Sequence, residues 1–242
     1  MAAGRVTDRD GEVADHLLRQ GLGRLGIRAT PAQLQAFAVY RSELLRWAAH
    51  VNLTGFKSEE AIVREGFLRS LTYKAAFEPA PGLVAVDIGS GAGLPGLVLK
   101  ICYPEIEMLL VDATRRRVTF TRHLIRQLGL SGVRCLWARA ESLQGETEHR
   151  GRYHLAFARA VGALPEVVAL AEPLLAPGGR LVIQRGQETA PSLQAMRAVL
   201  DLLQGFLSRN IQPLGPGPAQ PFSHLQHQGR FPDPRGAAEE NH

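Results

Sequence analysis

One stretch constrains this chain more than any other: Val84-Ala85-Val86-Asp87-Ile88-Gly89-Ser90-Gly91-Ala92-Gly93-Leu94-Pro95-Gly96. A short apolar, β-branched run bounded by glycine reads as a buried strand. The glycine-rich turn after it opens a helix over Gly96 to Ile101. Glycines let backbone approach a ligand without a Cβ clash, and a helix N-terminus offers free amide donors. Such a turn, in this strand-to-helix context, is a ligand site.

The surroundings repeat the strand-helix alternation. Apolar or β-branched runs at Leu83–Ile88, Met108–Asp112, Val133–Ala138, His154–Ala158 and Arg180–Gln184 predict strands, with helices such as Arg115–Gly129 and Leu164–Leu175 between them. This pattern means βαβ units and a mainly parallel, doubly wound α/β sheet. Upstream of Pro79-Ala80-Pro81-Gly82 the period is helical. Thr30-Pro31-Ala32-Gln33 is a capping box with proline at the first helical position. Leu34, Phe37, Tyr40 or Arg41, Leu44 and Leu45 continue from it as one apolar face. Further helices are expected over roughly Gly11–Leu25 and Glu59–Phe77. The expected organisation is a helical N-terminal cap over 1–80, a nucleotide-binding domain over 81–210 and a tail over 211–242. The tail holds six prolines and four glycines in its 32 residues, too little apolar surface to offset ordering entropy.

Composition narrows the function classes. The chain has 242 residues with 45% hydrophobic content, enough for a core. Its 28 cationic residues exceed 23 anionic ones, and only Lys57, Lys74 and Lys100 are lysines. Arginine forks onto phosphate and stacks on bases, so nucleic acid is a candidate partner. Cys102 and Cys135 stand alone, without Cys-x-x-Cys spacing, which predicts reduced thiols and no metal site. No apolar leader precedes residue 11, and the Ala/Leu-rich stretch Leu155–Ala176 is broken by Arg159, Glu166 and Glu172. A cytoplasmic protein without membrane spans is expected.

Two ligands compete for the glycine-rich turn. Gly91-Ala92-Gly93-Leu94-Pro95-Gly96 fits a dinucleotide pattern, but Asp87 two residues before Gly89, followed by alternating glycines, makes a D-x-G-x-G-x-G string. That string resembles motif I of class I AdoMet-dependent methyltransferases, in which the carboxylate organises the loop and the amino-acid part of the cofactor. Asp112 ends the next strand 19 residues after Gly93, where a carboxylate can accept ribose hydroxyls or cap the following helix. After the third strand, Glu141 reads either as a helix-start carboxylate or as a residue beside the adenine.

Further strings sharpen the resemblance. Asn52-Leu53-Thr54, the loop Asp87–Gly96, the run Leu110-Val111-Asp112-Ala113-Thr114-Arg115-Arg116-Arg117-Val118, the pair Ala140-Glu141 and Ala158-Arg159-Ala160-Val161 occur in this order. Together, over about residues 30–190, they resemble the bacterial small-subunit (16S) rRNA guanine-N7 methyltransferase family, also called glucose-inhibited division protein B. The resemblance implies a Rossmann-like class I methyltransferase that uses S-adenosyl-L-methionine (AdoMet). Small-subunit rRNA or the ribosomal subunit is its implied partner, and it is expected to act as a monomer without metal. By position it implies cofactor contacts from Asp87, Gly89, Ser90, Gly91, Gly93, Leu94, Asp112, Ala113, Thr114, Ala140, Glu141 and Arg159. It implies RNA contacts from Asn52, Arg116, Arg117, Arg159 and Arg185. No acid or base catalyst is assigned, because guanine N7 carries a lone pair and no proton.

The chain departs from the family pattern in three places. Gly66 and Arg69 stand where the family usually has His and Asp, and Arg185-Gly186 replaces Lys-Gly. Beyond Leu207 no clear β run remains, so the closing strands of the sheet are expected to be missing or remodelled. Two other functions share the same loop: a small-molecule AdoMet methyltransferase, and a diverged non-catalytic module that binds RNA or AdoMet. A nicotinamide dehydrogenase is a third.

Overall fold

The computed structural model describes residues 3–49 and 53–184, so Asn52, Arg185 and the segment 211–242 lie outside the described residues. The helical region opens with α1 (Ala3–Arg24) and α2 (Pro31–Ala48). The capping box forms in both directions: Thr30 Oγ1 accepts the Gln33 N–H at 3.2 Å, and Gln33 Oε1 accepts the Thr30 N–H at 2.8 Å. Gln33 also donates from Nε2 to the carbonyls of Ile101 and Cys102, at 2.8 and 3.2 Å. One residue thus starts α2 and satisfies two otherwise orphaned carbonyls at the end of a helix in the α/β layer.

The third expected helix is present but uneven. It begins as α3 (Glu59–Ala61), widens to a π-helix over Ile62–Leu68, returns to α geometry as α4 (Arg69–Leu71) and tightens to a 3-10 helix over Thr72–Ala76. Arg41, buried on α2, ties the bundle together by donating to Asp15 of α1 at 2.7 Å and pairing with Glu59 of α3 at 2.6 Å. A buried guanidinium is tolerated only with such partners, and removing one carboxylate would leave an uncompensated charge.

The sheet consists of β1 (Val84–Ile88), β2 (Glu107–Asp112), β3 (Val133–Trp137), β4 (Tyr153–Arg159) and β5 (Leu175–Gln184), in the order β3-β2-β1-β4-β5. Every neighbouring pair is parallel. The intervening helices are α5 (Gly96–Cys102), α6 (Arg115–Gln127), α7 (Ala140–Leu143) and α8 (Leu164–Ala171). The central strand β1 is buried at every position, as both faces of a parallel sheet are covered by helices. The first four strands agree with expectation to within a residue or so, whereas β5 starts at Leu175 rather than Arg180. Leu175 pairs with Tyr153, but Ala176-Pro177-Gly178-Gly179 has no partner on β4 and bulges out, with Gly178 at φ +76°, before pairing resumes at Arg180 and Leu155.

Helices and sheet share one apolar core that includes Phe37 and Tyr40 of α2, Phe67 of the π-helix, Leu97 of α5, Phe120 of α6 and Phe157 of β4. The ring of Phe67 sits 5.1 Å from Phe37 and 5.0 Å from Tyr40. Each such fully buried side chain contributes about 1.5–3 kcal/mol. Strand order reverses between β1 and β4, and the crevice at the strand C-terminal ends at such a switch point is where open α/β sheets bind ligands.

Candidate functional site

Five anchors fix the glycine-rich turn at the exit of β1. The N–H groups of Gly89 and Ser90 both donate to Val111 O, at 2.8 and 3.0 Å. The Gly91 N–H donates to Asp112 Oδ2 at 2.8 Å, and Gly91 O accepts from Thr121 of α6 at 3.2 Å. Ala92 O accepts from the Tyr40 hydroxyl at 2.6 Å, and the Gly96 N–H donates to Asp87 Oδ2 at 2.8 Å. The turn is thereby preorganised by neighbouring strands and by the N-terminal helices.

The glycines of the turn divide by what stands next to them. A Cβ on Gly93 would come within 2.7 Å of Leu97 and 3.0 Å of the Tyr40 hydroxyl, and one on Gly96 within 2.3 Å of Leu110. Those two are required by internal packing. Gly91, at φ +57°, would direct a Cβ into open space, with nothing nearer than Gly89 O at 3.9 Å. Of the turn's glycines Gly91 alone faces open space, while Gly89 admits the side chain of Val161, which would stand 2.5 Å from a Cβ there.

Asp87 is completely buried. One oxygen is bonded to Gly96, and Oδ1 has no hydrogen-bond partner. Desolvation pushes its pKa up to about 7, against the lowering effects of the Gly96 N–H and the Arg159 charge. Asp112 is also buried, but both its oxygens are engaged: Oδ2 by Gly91 and Oδ1 by the Thr114 N–H at 2.7 Å, with Arg117 Nη1 3.8 Å away. The N-cap of α6 is Thr114, not Asp112. Asp112 acts one step earlier, as an Asx turn that delivers the chain from β2 into that helix.

The remaining candidates line the same edge. Leu94 and Ala140 are buried, and Ala113, Thr114 and Glu141 are exposed. Glu141 stands in the first turn of α7. Arg116 is exposed and Arg117 partly so, both in the first turn of α6. Arg159, at the end of β4, turns toward the helical region. Its Nη2 donates to Glu65 O, and its Nη1 lies 3.4 Å from both Gly66 O and Ser70 Oγ. It is held by carbonyls of the π-helix and not by a carboxylate. Burial lowers its pKa.

The unusual residues Gly66 and Arg69 sit in or next to this grip. Gly66 supplies one of the carbonyls, and Arg69 pairs with Glu65 at 3.0 Å. Sequence reasoning missed Tyr40, Ser70, Thr121 and Tyr73, whose hydroxyl donates to Ala158 O at 2.9 Å. Tyr40 was visible only as a member of the apolar stripe of α2. A cavity of about 220 Å³ between α1 and α2, lined by Asp15, Leu18, Arg19, Pro31, Leu34, Gln35 and Ala38, shares no residue with this edge. Among the described residues no cluster of His, Cys, Asp or Glu could hold a metal, and no helix is long and apolar enough to cross a membrane.

Residues 33–212 match the family model described as GidB, rRNA small subunit methyltransferase G. A protein named Ribosomal RNA small subunit methyltransferase G from Roseiflexus sp. (strain RS-1) is 38% identical over 180 residues, covering 74% of this chain and 76% of that protein. Proteins of the same name from Chloroflexus aggregans and Geobacter sp. (strain M21) are 37% and 34% identical. These alignments cover 80% and 78% of this chain and 81% and 86% of the relatives. A turn organised by Asp87 and Asp112, on a parallel sheet with this strand order, and a family match across most of the chain agree: the protein belongs to the rRNA small subunit methyltransferase G (GidB) family.

Proposed function

We propose that this protein transfers a methyl group from AdoMet to N7 of a guanine in small-subunit (16S) rRNA. The observation that carries the cofactor assignment is the glycine-rich turn at the exit of β1, where Gly91 is held by Asp112 and faces open space. Asp87, tied to the turn through Gly96, is buried with Oδ1 unpartnered, which is costly, and the positive charge of a ligand ammonium group in the site would lower that cost. Asp112 retains lone pairs for ribose hydroxyls, since each of its oxygens accepts one N–H. Ala113, Thr114, Ala140 and Glu141 would flank the adenine, and Gly89, Ser90, Gly93 and Leu94 would complete the wall. When bound, AdoMet supplies an electrophilic sulfonium methyl.

The chain's own part is positioning. N7 has no proton to remove, so no side chain must act as a base. Holding nucleophile and electrophile in line supplies on the order of 7–11 kcal/mol of rate enhancement. Arg159, clamped by Glu65, Gly66 and Ser70, holds the helical region against the end of β4 and so fixes the wall on the far side of the switch point. Arg116 and Arg117, with Asn52 and Arg185, would take RNA phosphates and the target base. In this reading 1–80 form the cap, 81–210 carry out the transfer, 211–242 are a tail, and the protein acts as a cytoplasmic monomer without metal.

Purified protein with tritiated AdoMet and hypomodified small subunits or 16S rRNA should yield labelled 7-methylguanine after nuclease digestion. AdoMet binding by calorimetry without labelled guanine would overturn the assignment in favour of a binding module. Rising ionic strength should weaken rRNA binding steeply, as phosphate neutralisation requires. A small-molecule methyltransferase would show no such slope.

A further inference from the structure

Trp137 ends β3, the edge strand next to β2, and it is the one exposed large aromatic among the described residues, with 53% of its surface open. Scattered exposed apolar side chains are ordinary, and Val13 and Leu25 on or just after α1 are of that kind. Trp137 differs because its ring is held in place. Its indole N–H donates to Ala113 O at 3.0 Å, and the Arg115 guanidinium stands 5.5 Å from the ring centroid. Ala113 belongs to the loop that leaves β2, so the ring is fixed to the rim of the site. Further exposed cationic side chains follow closely in the chain: Arg116 next to Arg115, and Arg139 two residues after Trp137, with the exposed carboxylate Glu141 two further on.

A fixed aromatic face flanked by arginines is the arrangement on which single-stranded nucleic acid rests, base on ring and phosphate on guanidinium. We propose that Trp137, oriented by Ala113 and Arg115, is a stacking platform for an unpaired base of the substrate RNA outside the methyl-transfer pocket. This rests on the rRNA-methylating reading above. The platform would engage a nucleotide flanking the target and fix the register in which the RNA enters. It would add affinity for RNA without touching the reacting atoms.

The test is the KM for hypomodified 16S rRNA in Trp137→Ala and Trp137→Phe, together with AdoMet affinity by calorimetry. Trp137→Ala should raise that KM about 5- to 150-fold, the range expected for losing one stacked base. AdoMet affinity should be unchanged, and Trp137→Phe should recover most of the loss although it cannot make the Ala113 bond. In a Trp47→Phe background, where Trp137 is the remaining tryptophan, adding the rRNA should quench its fluorescence. An unchanged KM without quenching, while wild-type protein methylates the rRNA, would overturn the platform alone. A parallel loss of AdoMet affinity would also overturn it, by making Trp137 a wall of the cofactor site. No transfer by wild-type protein would sink the rRNA reading itself, and the platform with it.

Discussion

Asp87 stands one residue before the end of β1 and Asp112 ends the adjacent β2, yet the two ends of the site that they mark are built differently. Asp112 spends both oxygens on backbone, holding Gly91 in the turn and Thr114 at the start of α6. Asp87 spends one oxygen on Gly96 and keeps the other buried and unpartnered. One carboxylate is scaffold; the other is stored acceptor capacity. Desolvation accordingly drives the Asp87 pKa to about 7. The turn is therefore tied down at its Asp112 end and carries an uncompensated desolvation cost at its Asp87 end.

The largest effect should come from removing the scaffold. Asp112→Ala strands two backbone donors, each charge-assisted bond being worth about 1.5–3 kcal/mol. Denaturation should show a destabilised fold, and calorimetry should find AdoMet binding lost. A stable variant with unchanged affinity would mean that Asp112 is not the organiser of the turn.

The next contrast is in pH. A carboxyl with a raised folded-state pKa favours the fold while protonated, and that contribution disappears as pH rises through the folded pKa. Wild-type stability measured against Asp87→Asn should therefore fall between about pH 4, the unfolded Asp value, and about pH 7, then level off. A flat difference would show that Asp87 is not buried as described. Saturating AdoMet should reduce the slope if the cofactor ammonium stabilises the ionised form.

The smallest expected change is Tyr40→Phe, which deletes the bond from the helical region to Ala92 O while keeping the ring against Phe67. It should cost about 0.5–1.5 kcal/mol of stability and weaken AdoMet binding modestly. Equal AdoMet affinity in wild type and variant would make Tyr40 a packing residue only.

The sheet was readable because parallel central strands are continuous apolar runs and because glycine marks their exits. The Thr30–Gln33 box was readable because its partners lie three residues apart. The π-helix over Ile62–Leu68 was not, since its apolar spacing differs little from that of an α-helix. The early start of β5 was hidden because Pro177 and Gly178 signal a break, and they do form one: a bulge that separates the Leu175 pairing from the run that resumes at Arg180. The direction of Arg159 was hidden for a different reason. Its position at a strand end followed from local pattern, but its carbonyl partners lie 93 and 94 residues away.

Those separations also set a timetable for the growing polypeptide. The Tyr73 hydroxyl bonds to Ala158 across 85 residues, and Arg159 reaches back further still. The amino-terminal helices emerge from the ribosome first, yet two of their polar ties to the sheet have no counterpart until β4 has been synthesised. An early helical bundle must therefore wait without the Tyr73 and Arg159 ties to the sheet, and such long-range closures slow folding. Chains truncated before residue 158 should accordingly keep the helices more open to amide exchange than full-length protein does.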